Sequence, residues 1–287
     1  MVSVTAMSIA GQSRLPVWGT IKDAYRHLWH HRWRYTAQLL IVGLGISAVC
    51  FLSDMLIQFV GLYYGIGLVS SGRLFSFTAA TVLGLVLGSG MIFLSCGRAI
   101  LYHRRPLITD VVRLHRFGSF WTVLVCYWFL SHLAPTVASL IVHLHGAWDI
   151  SWLNTYVVYV GYWIWVLPIA TALAMAMPIA AFEAESAPFR QGWMRSRGNL
   201  VRFALIALLA SVPTLAVEEI VLHGWVAIWE GLGLDPDSSA VTIMVSWSFQ
   251  PLRNLLSFLI ILVLSAVTLT AYARLSPRFE HMAKVFD

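Results

Sequence analysis

Six long apolar runs dominate this chain and decide what it can fold into. They cover residues 35–62, 75–101, 120–144, 155–182, 201–229 and 252–273. At a rise of 1.5 Å per residue, each run is long enough to cross a hydrocarbon core of about 30 Å. Each must be helical, because a lone strand would leave its backbone groups unpaired in lipid. The runs predict an all-α membrane fold, a bundle of six transmembrane helices.

Composition argues against a water-soluble fold. Charged residues make up 11% of the chain and apolar residues 59%, whereas a soluble domain carries about 25% charged residues. The runs are joined by short connections, which leave no room for a separate soluble domain. We therefore expect a single polytopic membrane domain over residues 1–287.

The basic residues predict the orientation. Of the 19 Lys and Arg residues, all but Arg73 and Arg253 lie at or beyond the run ends on one side. They lie before the first run, around the connection from the second to the third, around that from the fourth to the fifth, or after the sixth. Lys and Arg are enriched in cytoplasmic loops. Both chain ends are therefore predicted to be cytoplasmic. An odd number of spans would divide the basic segments between the two sides, which favours six.

Three of the cytoplasmic segments share one pattern. Each begins at a proline, Pro16, Pro106 or Pro188, and then mixes aromatic or aliphatic residues with Arg and His. Proline suits the first turn of a helix, and a basic amphipathic helix lies in the membrane interface. We predict a basic interfacial helix at each site, and we hypothesise three hairpin repeats, each preceded by one such helix.

Anionic lipid headgroups are the expected partner of these helices, because long basic side chains extend to the headgroup layer. Nucleic acid is not expected, since the net charge of +6 is spread over separate membrane-flanking segments. The predicted lipid-binding residues are Arg26, Arg32, Arg34, Arg104, Arg105, Arg113, Arg195 and Arg197.

The stretch from Ala181 to Leu205 resembles a signature of bacterial membrane proteins. These are the YciC-like proteins and the membrane domain found beside some glycerophosphoryl diester phosphodiesterases. The matching residues are Glu183, residues 191–193, Arg195-Ser196 and Gly198-Asn199, and residues 105–113 resemble the second cytoplasmic segment of that family. The resemblance implies a six-helix module in a bacterial cytoplasmic (inner) membrane. It implies no reaction, because no phosphodiesterase catalytic domain is present.

Ionisable residues within the runs concentrate in the outer half of the membrane. Such groups are costly in hydrocarbon and are functional candidates by default. The predicted cluster consists of Asp54, Glu218, Glu219, His223, His132, Arg73 and Arg253. One interpretation is structural, with the carboxylates paired to the two arginines or hydrated. A second is a proton or solute pathway, in which Glu218 or Asp54 carries the proton and Pro213 kinks the helix.

A metal or haem site is the third interpretation of these residues. Glu219 and His223 are four residues apart and so share one helix face. His132, His143 or Asp54 could complete a transition-metal site with them. We predict no cofactor and no metal ligands, and leave metal or haem open.

Small residues on the second run favour close helix contacts. Ala80, Gly84 and Gly88 recur every fourth residue and form one narrow face. Such a face lets two helix backbones approach, either within the chain or between subunits.

No sequence motif completes a catalytic site. The chain has no Gly-rich phosphate loop, no serine nucleophile elbow and no Cys-x-x-Cys pair, which argues against an enzyme. We expect a membrane scaffold, assembly or accessory protein, with membrane proteins or a second copy as partners. The alternatives are an ion- or proton-coupled secondary transporter and a membrane subunit of a redox or photosynthetic complex.

Overall fold

The computed structural model describes residues 14–63, 71–103, 119–128, 130, 169–183, 187–232 and 239–276. Side chains are described for all of these except residues 50–51, 53–63, 71–83 and 239–250. Every regular element within these ranges is a helix. The helices are α1 (Val17–His30), α2 (Arg32–Tyr63), α3 (Ser71–Tyr102), α4 (Ser119–Trp128), α5 (Ile169–Phe182), α6 (Pro188–Ser196), α7 (Leu200–Gly231) and α8 (Ser239–Leu275).

Three stretches in the described residues are long and apolar enough to cross a membrane. They are Gly84–Tyr102 in α3, all of α7, and Pro251–Leu275 in α8. Helices α4 and α5 are shorter apolar helices. These stretches indicate an all-helical membrane protein, as the composition predicts.

Helix α8 differs from its prediction at one end. The sixth run was expected to begin at residue 252, whereas the helix begins at Ser239 and continues through Pro251. Proline removes one backbone donor and disfavours helix before it. The twelve residues before Pro251 mix apolar side chains with Ser, Thr and Gln, and the helix continues through the proline at the cost of one missing backbone hydrogen bond.

Two of the three predicted basic helices are present. Helix α1 starts directly after Pro16, whose carbonyl accepts the Thr20 N–H at 3.0 Å. Helix α6 starts at Pro188. Both positions use proline where a helix has no need of its N–H. The segment that begins at Pro106 lies outside the described residues, and the threefold repeat stays a prediction.

The chain divides into two compact units, and several helices contribute to both. Among the described residues, unit 1 holds α4, α5, α6, α1 up to Asp23, α7 up to Ala207 and α8 from Thr268. Unit 2 holds α2, α3 and the remaining parts of α1, α7 and α8.

Unit 1 contains a very close contact between α5 and α6. A Cβ atom added to Gly192 would lie 2.4 Å from the Ala172 carbonyl oxygen and 2.8 Å from the Ala176 nitrogen. Both are backbone atoms, so α6 rests directly on the backbone of α5. Large buried side chains around these helices are Leu15, Met175, Ile179, Ile206 and Leu269.

In unit 2, two residues of the predicted small face on α3, Gly84 and Gly88, lie against neighbouring helices. A Cβ on Gly84 would meet Ile46 of α2 at 2.8 Å, and one on Gly88 would meet Phe258 of α8 at 2.6 Å and Val42 at 2.7 Å. Dispersion contacts at this range take the place of the hydrophobic effect in lipid. The glycines therefore serve packing within the chain. The side chain of Ala80 is not described.

Hydroxyl groups surround the proline of α7. Pro213 lies inside a continuous helix and cannot donate to the carbonyl four residues earlier. Nearby, Ser211 donates to the Leu208 carbonyl at 2.9 Å, and Thr214 donates to the Ser211 carbonyl at 2.7 Å. Tyr25 of α1 donates to the Ala210 carbonyl at 2.7 Å. Side-chain donors of this kind make proline tolerable in a membrane helix.

Candidate functional site

A buried carboxylate follows directly after α5. The Glu183 N–H donates to the Ile179 carbonyl at 3.0 Å and so continues the helical turn. Only 5% of Glu183 is exposed. A carboxylate this deeply buried requires a partner, because an unpaired charge is strongly disfavoured away from water.

Arg195 of α6 supplies that partner. Its Nη1 and Nη2 atoms donate to the two carboxylate oxygens of Glu183 at 2.8 Å and 2.9 Å. This is the two-pronged geometry that a planar guanidinium forms with a carboxylate. Gly192 makes it possible, because a side chain at that position would hold α6 away from α5.

The end of α8 completes the site. The Tyr272 hydroxyl donates to Glu183 Oε1, and the Ser276 hydroxyl donates to the same atom at 3.3 Å. Arg195 also donates to the Tyr272 hydroxyl at 3.3 Å and lies 5.5 Å from the centre of its ring. We call Glu183, Arg195, Tyr272 and Ser276 the Glu183 network; it joins α5, α6 and α8 within unit 1.

The Glu183 network keeps its carboxylate ionised. Burial raises the pKa of Glu183, but the hydrogen bonds from Arg195 and Tyr272 and the charge of Arg195 lower it more, so that the pKa lies below its ordinary value of 4.5. Oε1 accepts from three side chains and Oε2 from Arg195. A carboxylate with these contacts is suited to holding three helices together, and would have to lose them to act as a proton acceptor.

Three further contacts fasten unit 1 around the network. Asp23 of α1 pairs with Arg274 of α8. The Leu15 N–H donates to Asn199 Oδ1 at 3.1 Å, and the Leu15 carbonyl accepts from Arg202 at 3.2 Å. Asn199 is 3% exposed. The ion pair joins α1 to α8, and the two Leu15 contacts tie the segment before α1 to the turn after α6 and to the start of α7.

Glycine is required in that turn. Gly198 has a φ of 87°, in the left-handed region that side chains rarely adopt. The residues on which the predicted resemblance depends have these positions: Glu183 and Arg195 form the ion pair, Gly192 permits the contact between α5 and α6, and Gly198 and Asn199 lie in the turn.

A second polar cluster lies where α1 meets α2, in unit 2. The rings of His27 and His31 lie 4.8 Å apart between centroids, and those of His30 and His31 lie 4.9 Å apart. His27 Nε2 and the Tyr35 hydroxyl share a hydrogen bond at 2.9 Å. Burial and then the neighbouring imidazoles of His31, His30 and His103 lower the pKa of His27 to about 4.

The predicted outer cluster is described only in part. On α7, the Nδ1 atom of His223 lies 3.7 Å from Oε2 of Glu219. The side chains are 79% and 68% exposed, respectively. Arg253 is exposed, and Glu218 is half-buried. The side chains of Asp54 and Arg73 are not described, and His132 and His143 lie outside the described residues, so the cluster stays a prediction. Within the described part of the chain, no group of three or more His, Cys, Asp or Glu side chains could hold a metal ion.

The predicted lipid-binding arginines fall into three groups. Arg26, Arg32, Arg34 and Arg197 are exposed. Arg195 is held by Glu183, with a side chain only 21% exposed, so we assign it to the network instead of to headgroups. The other three, Arg104, Arg105 and Arg113, lie outside the described residues.

Tyr272 and Ser276 were not among the predicted site residues. They are four residues apart, which places them on one face at the end of α8. That spacing is the feature of the sequence that could have indicated a shared site. Their partner Glu183 is far away in the sequence, and no local pattern indicates such a contact.

Comparison with known proteins adds no family to this description. No family model matches the chain, and no curated protein or solved structure matches it.

Proposed function

We propose that this chain is a structural membrane protein, a scaffold, assembly or accessory component without a catalytic site of its own. The observation that supports this most directly is the Glu183 network. Its four side chains are directed at one another, and the ionised carboxylate has its oxygens occupied by Arg195, Tyr272 and Ser276. The best-formed polar site in the described residues thus holds helices together.

The proposed architecture is a bundle of six spans in a bacterial cytoplasmic membrane, with both ends in the cytoplasm. Three apolar stretches, the distribution of arginines and the resemblance to YciC-like proteins support it. Helices α1 and α6 lie in the inner interface in this arrangement. Their exposed Trp18, Trp29 and Trp193 suit headgroup depth, and their exposed arginines suit anionic lipid.

Native co-purification with mass spectrometry tests the scaffold role. The tagged full-length chain, extracted from its own membrane in mild detergent, is expected to retain a defined set of membrane proteins. Recovery of the chain alone, in repeated extractions, would contradict a scaffold or assembly role.

An ion- or proton-coupled transporter is the second candidate. It is favoured by Glu218, a half-buried carboxylate on a helix long and apolar enough to cross a membrane. Replacing Glu218 and Asp54 separately by Ala, in chain reconstituted into vesicles, distinguishes the two functions. Loss of proton or solute flux with unchanged thermal stability supports a transporter, whereas loss of stability without any flux in the native chain supports the structural role.

A further inference from the structure

Exposed tryptophans and basic residues alternate where α1 ends and α2 begins. Trp29 is 71% exposed and Trp33 is 77% exposed. The Arg32 guanidinium lies 4.8 Å from the centre of the Trp29 ring and 5.8 Å from that of Trp33. His30 and Arg34 are exposed beside them. We call residues 29–34 the junction; it presents cations and amphipathic rings together, as headgroup-binding surfaces do.

Imidazoles are packed closely against this surface. His31 lies between the rings of His27 and His30, with centroids 4.8 Å and 4.9 Å away. The charge of Arg34, in α2, helps to lower the pKa of His31. His103, directly after α3, helps to lower the pKa of His27. Helix α7 reaches α1 through the uncharged contact of Tyr25 with a backbone carbonyl. Asp23, one turn before His27, is paired with Arg274.

Burial and positive neighbours disfavour protonation of the His27 and His31 rings. Burial, followed by His30 and Arg34, lowers the pKa of His31. The surface of an anionic leaflet supplies the opposite charge and relieves that repulsion. Protonation and lipid binding must then strengthen each other, because a coupling between two binding events acts equally in both directions.

We propose that the junction binds anionic phospholipid headgroups more tightly as the pH falls, because His31, packed between the rings of His27 and His30, gains positive charge beside Arg32 and Arg34. This inference rests on the proposed binding of anionic lipid by the basic helices. It adds a sensitivity to pH that the arginines alone cannot supply, since arginine stays charged throughout. His27, deeper in the cluster, remains neutral and keeps its hydrogen bond to Tyr35 over the same range.

Lipid binding by the full-length chain at two pH values tests the inference. The protein, in neutral detergent, is titrated with fluorescent phosphatidylglycerol or phosphatidylcholine at pH 7.5 and pH 5.5. We expect affinity for phosphatidylglycerol to rise by up to about fivefold as the His31 imidazole becomes protonated. Affinity for phosphatidylcholine should stay constant, since that headgroup has no net charge.

Two double variants with opposite expected affinities test whether the histidines of the junction cause the pH dependence. His30→Gln with His31→Gln should bind phosphatidylglycerol weakly at both pH values, and His30→Arg with His31→Arg should bind it tightly at both. The arginine pair keeps the test decisive if the glutamine pair does not fold. Arg190→Gln, on α6, combined with Arg197→Gln, directly after α6, is the matched control: it should lower affinity and keep the pH ratio.

The outcomes separate this inference from the proposed function. An unchanged pH ratio in both histidine pairs, or the same rise for phosphatidylcholine, would overturn the inference and leave lipid binding intact. No binding of phosphatidylglycerol by the native chain at either pH would refute lipid binding itself, and the inference with it.

Discussion

Glu183 shows how one residue can hold several helices together. It follows the last turn of α5, accepts two hydrogen bonds from Arg195 of α6, and accepts two more from Tyr272 and Ser276 of α8. A buried ion pair is weak support for stability when both partners are replaced together, but removing one partner leaves an uncompensated charge. The structural role of Glu183 can therefore be measured by breaking the pair from one side.

Arg195→Gln should destabilise the protein by about 3 kcal/mol. This is near the lower end of the cost of removing one partner from a buried ion pair, because Arg195 is partly exposed. Thermal unfolding in detergent measures this loss. The double change Glu183→Gln with Arg195→Gln should cost less than the single change, because it leaves no unpaired charge. Arg197→Gln, two residues away and exposed, is the matched control and should change stability by less than about 0.5 kcal/mol. Equal losses in the single and double variants would argue against a coupled pair.

His27 should make the protein less stable in mild acid. Its pKa is about 4 in the folded chain and 6.5 for the free side chain. The unfolded state binds the proton first, so the stabilising contribution is complete above pH 6.5 and is lost as the pH falls from 6.5 towards 4. The slope is at most about 1.4 kcal/mol per pH unit. In the His27→Gln variant, the melting temperature should depend less on pH between pH 6.5 and 4. An unchanged slope would contradict the lowered pKa of His27.

Glu183 acts in a lower pH range. Its pKa is held below 4.5 in the folded chain, so its contribution is present above pH 4.5 and is lost as the pH falls further. Loss of stability below pH 4.5 should therefore persist in His27→Gln and be reduced in Glu183→Gln.

Close packing of helices depends on a few glycines, and Gly192 is the clearest case. Its neighbours are backbone atoms of α5, which cannot rotate away as a side chain can. Gly192→Ala should therefore cost about 1–3 kcal/mol by overpacking and should weaken the Glu183–Arg195 pair.

Gly45→Ala and Gly224→Ala are matched controls, since a Cβ there meets no atom within 4 Å. Helical alanine should make both neutral or more stable, by up to about 1 kcal/mol. Thermal unfolding measures the stability of the three alanine variants. Equal losses of stability in all three would contradict a specific contact at Gly192.

Helices were the most predictable elements of this chain. Long apolar runs allow only one backbone solution in lipid, so α2, α3 and α7 cover their predicted runs within a few residues. Prolines indicated the starts of α1 and α6. The early start of α8 could not be predicted, because a proline such as Pro251 indicates a helix boundary, whereas the helix continues through it. The contacts of Glu183 could not be predicted either, since Tyr272 and Ser276 are distant in sequence.

At the scale of the whole molecule, the four longest helices of the described residues, α2, α3, α7 and α8, are longer than a bilayer requires. Helix α7 has 32 residues, about 48 Å at 1.5 Å per residue, against a hydrocarbon core of about 30 Å. Its ends must therefore extend into the headgroup layers or beyond. The proposed arrangement places the Leu200 end, with Asn199 and the Glu183 network nearby in unit 1, at the cytoplasmic face.

Membrane orientation tests the proposed architecture most directly. Single cysteines at Arg34, Asp110, Arg197 and Leu232, in a chain whose native cysteines are replaced by serine, are probed with a membrane-impermeant thiol reagent on intact and permeabilised cells. Six spans with a cytoplasmic N-terminus predict that only the cysteine at Leu232 reacts in intact cells, and that the other three react after permeabilisation. Reaction of Asp110→Cys or Arg197→Cys in intact cells would place basic segments on opposite sides and contradict the arrangement.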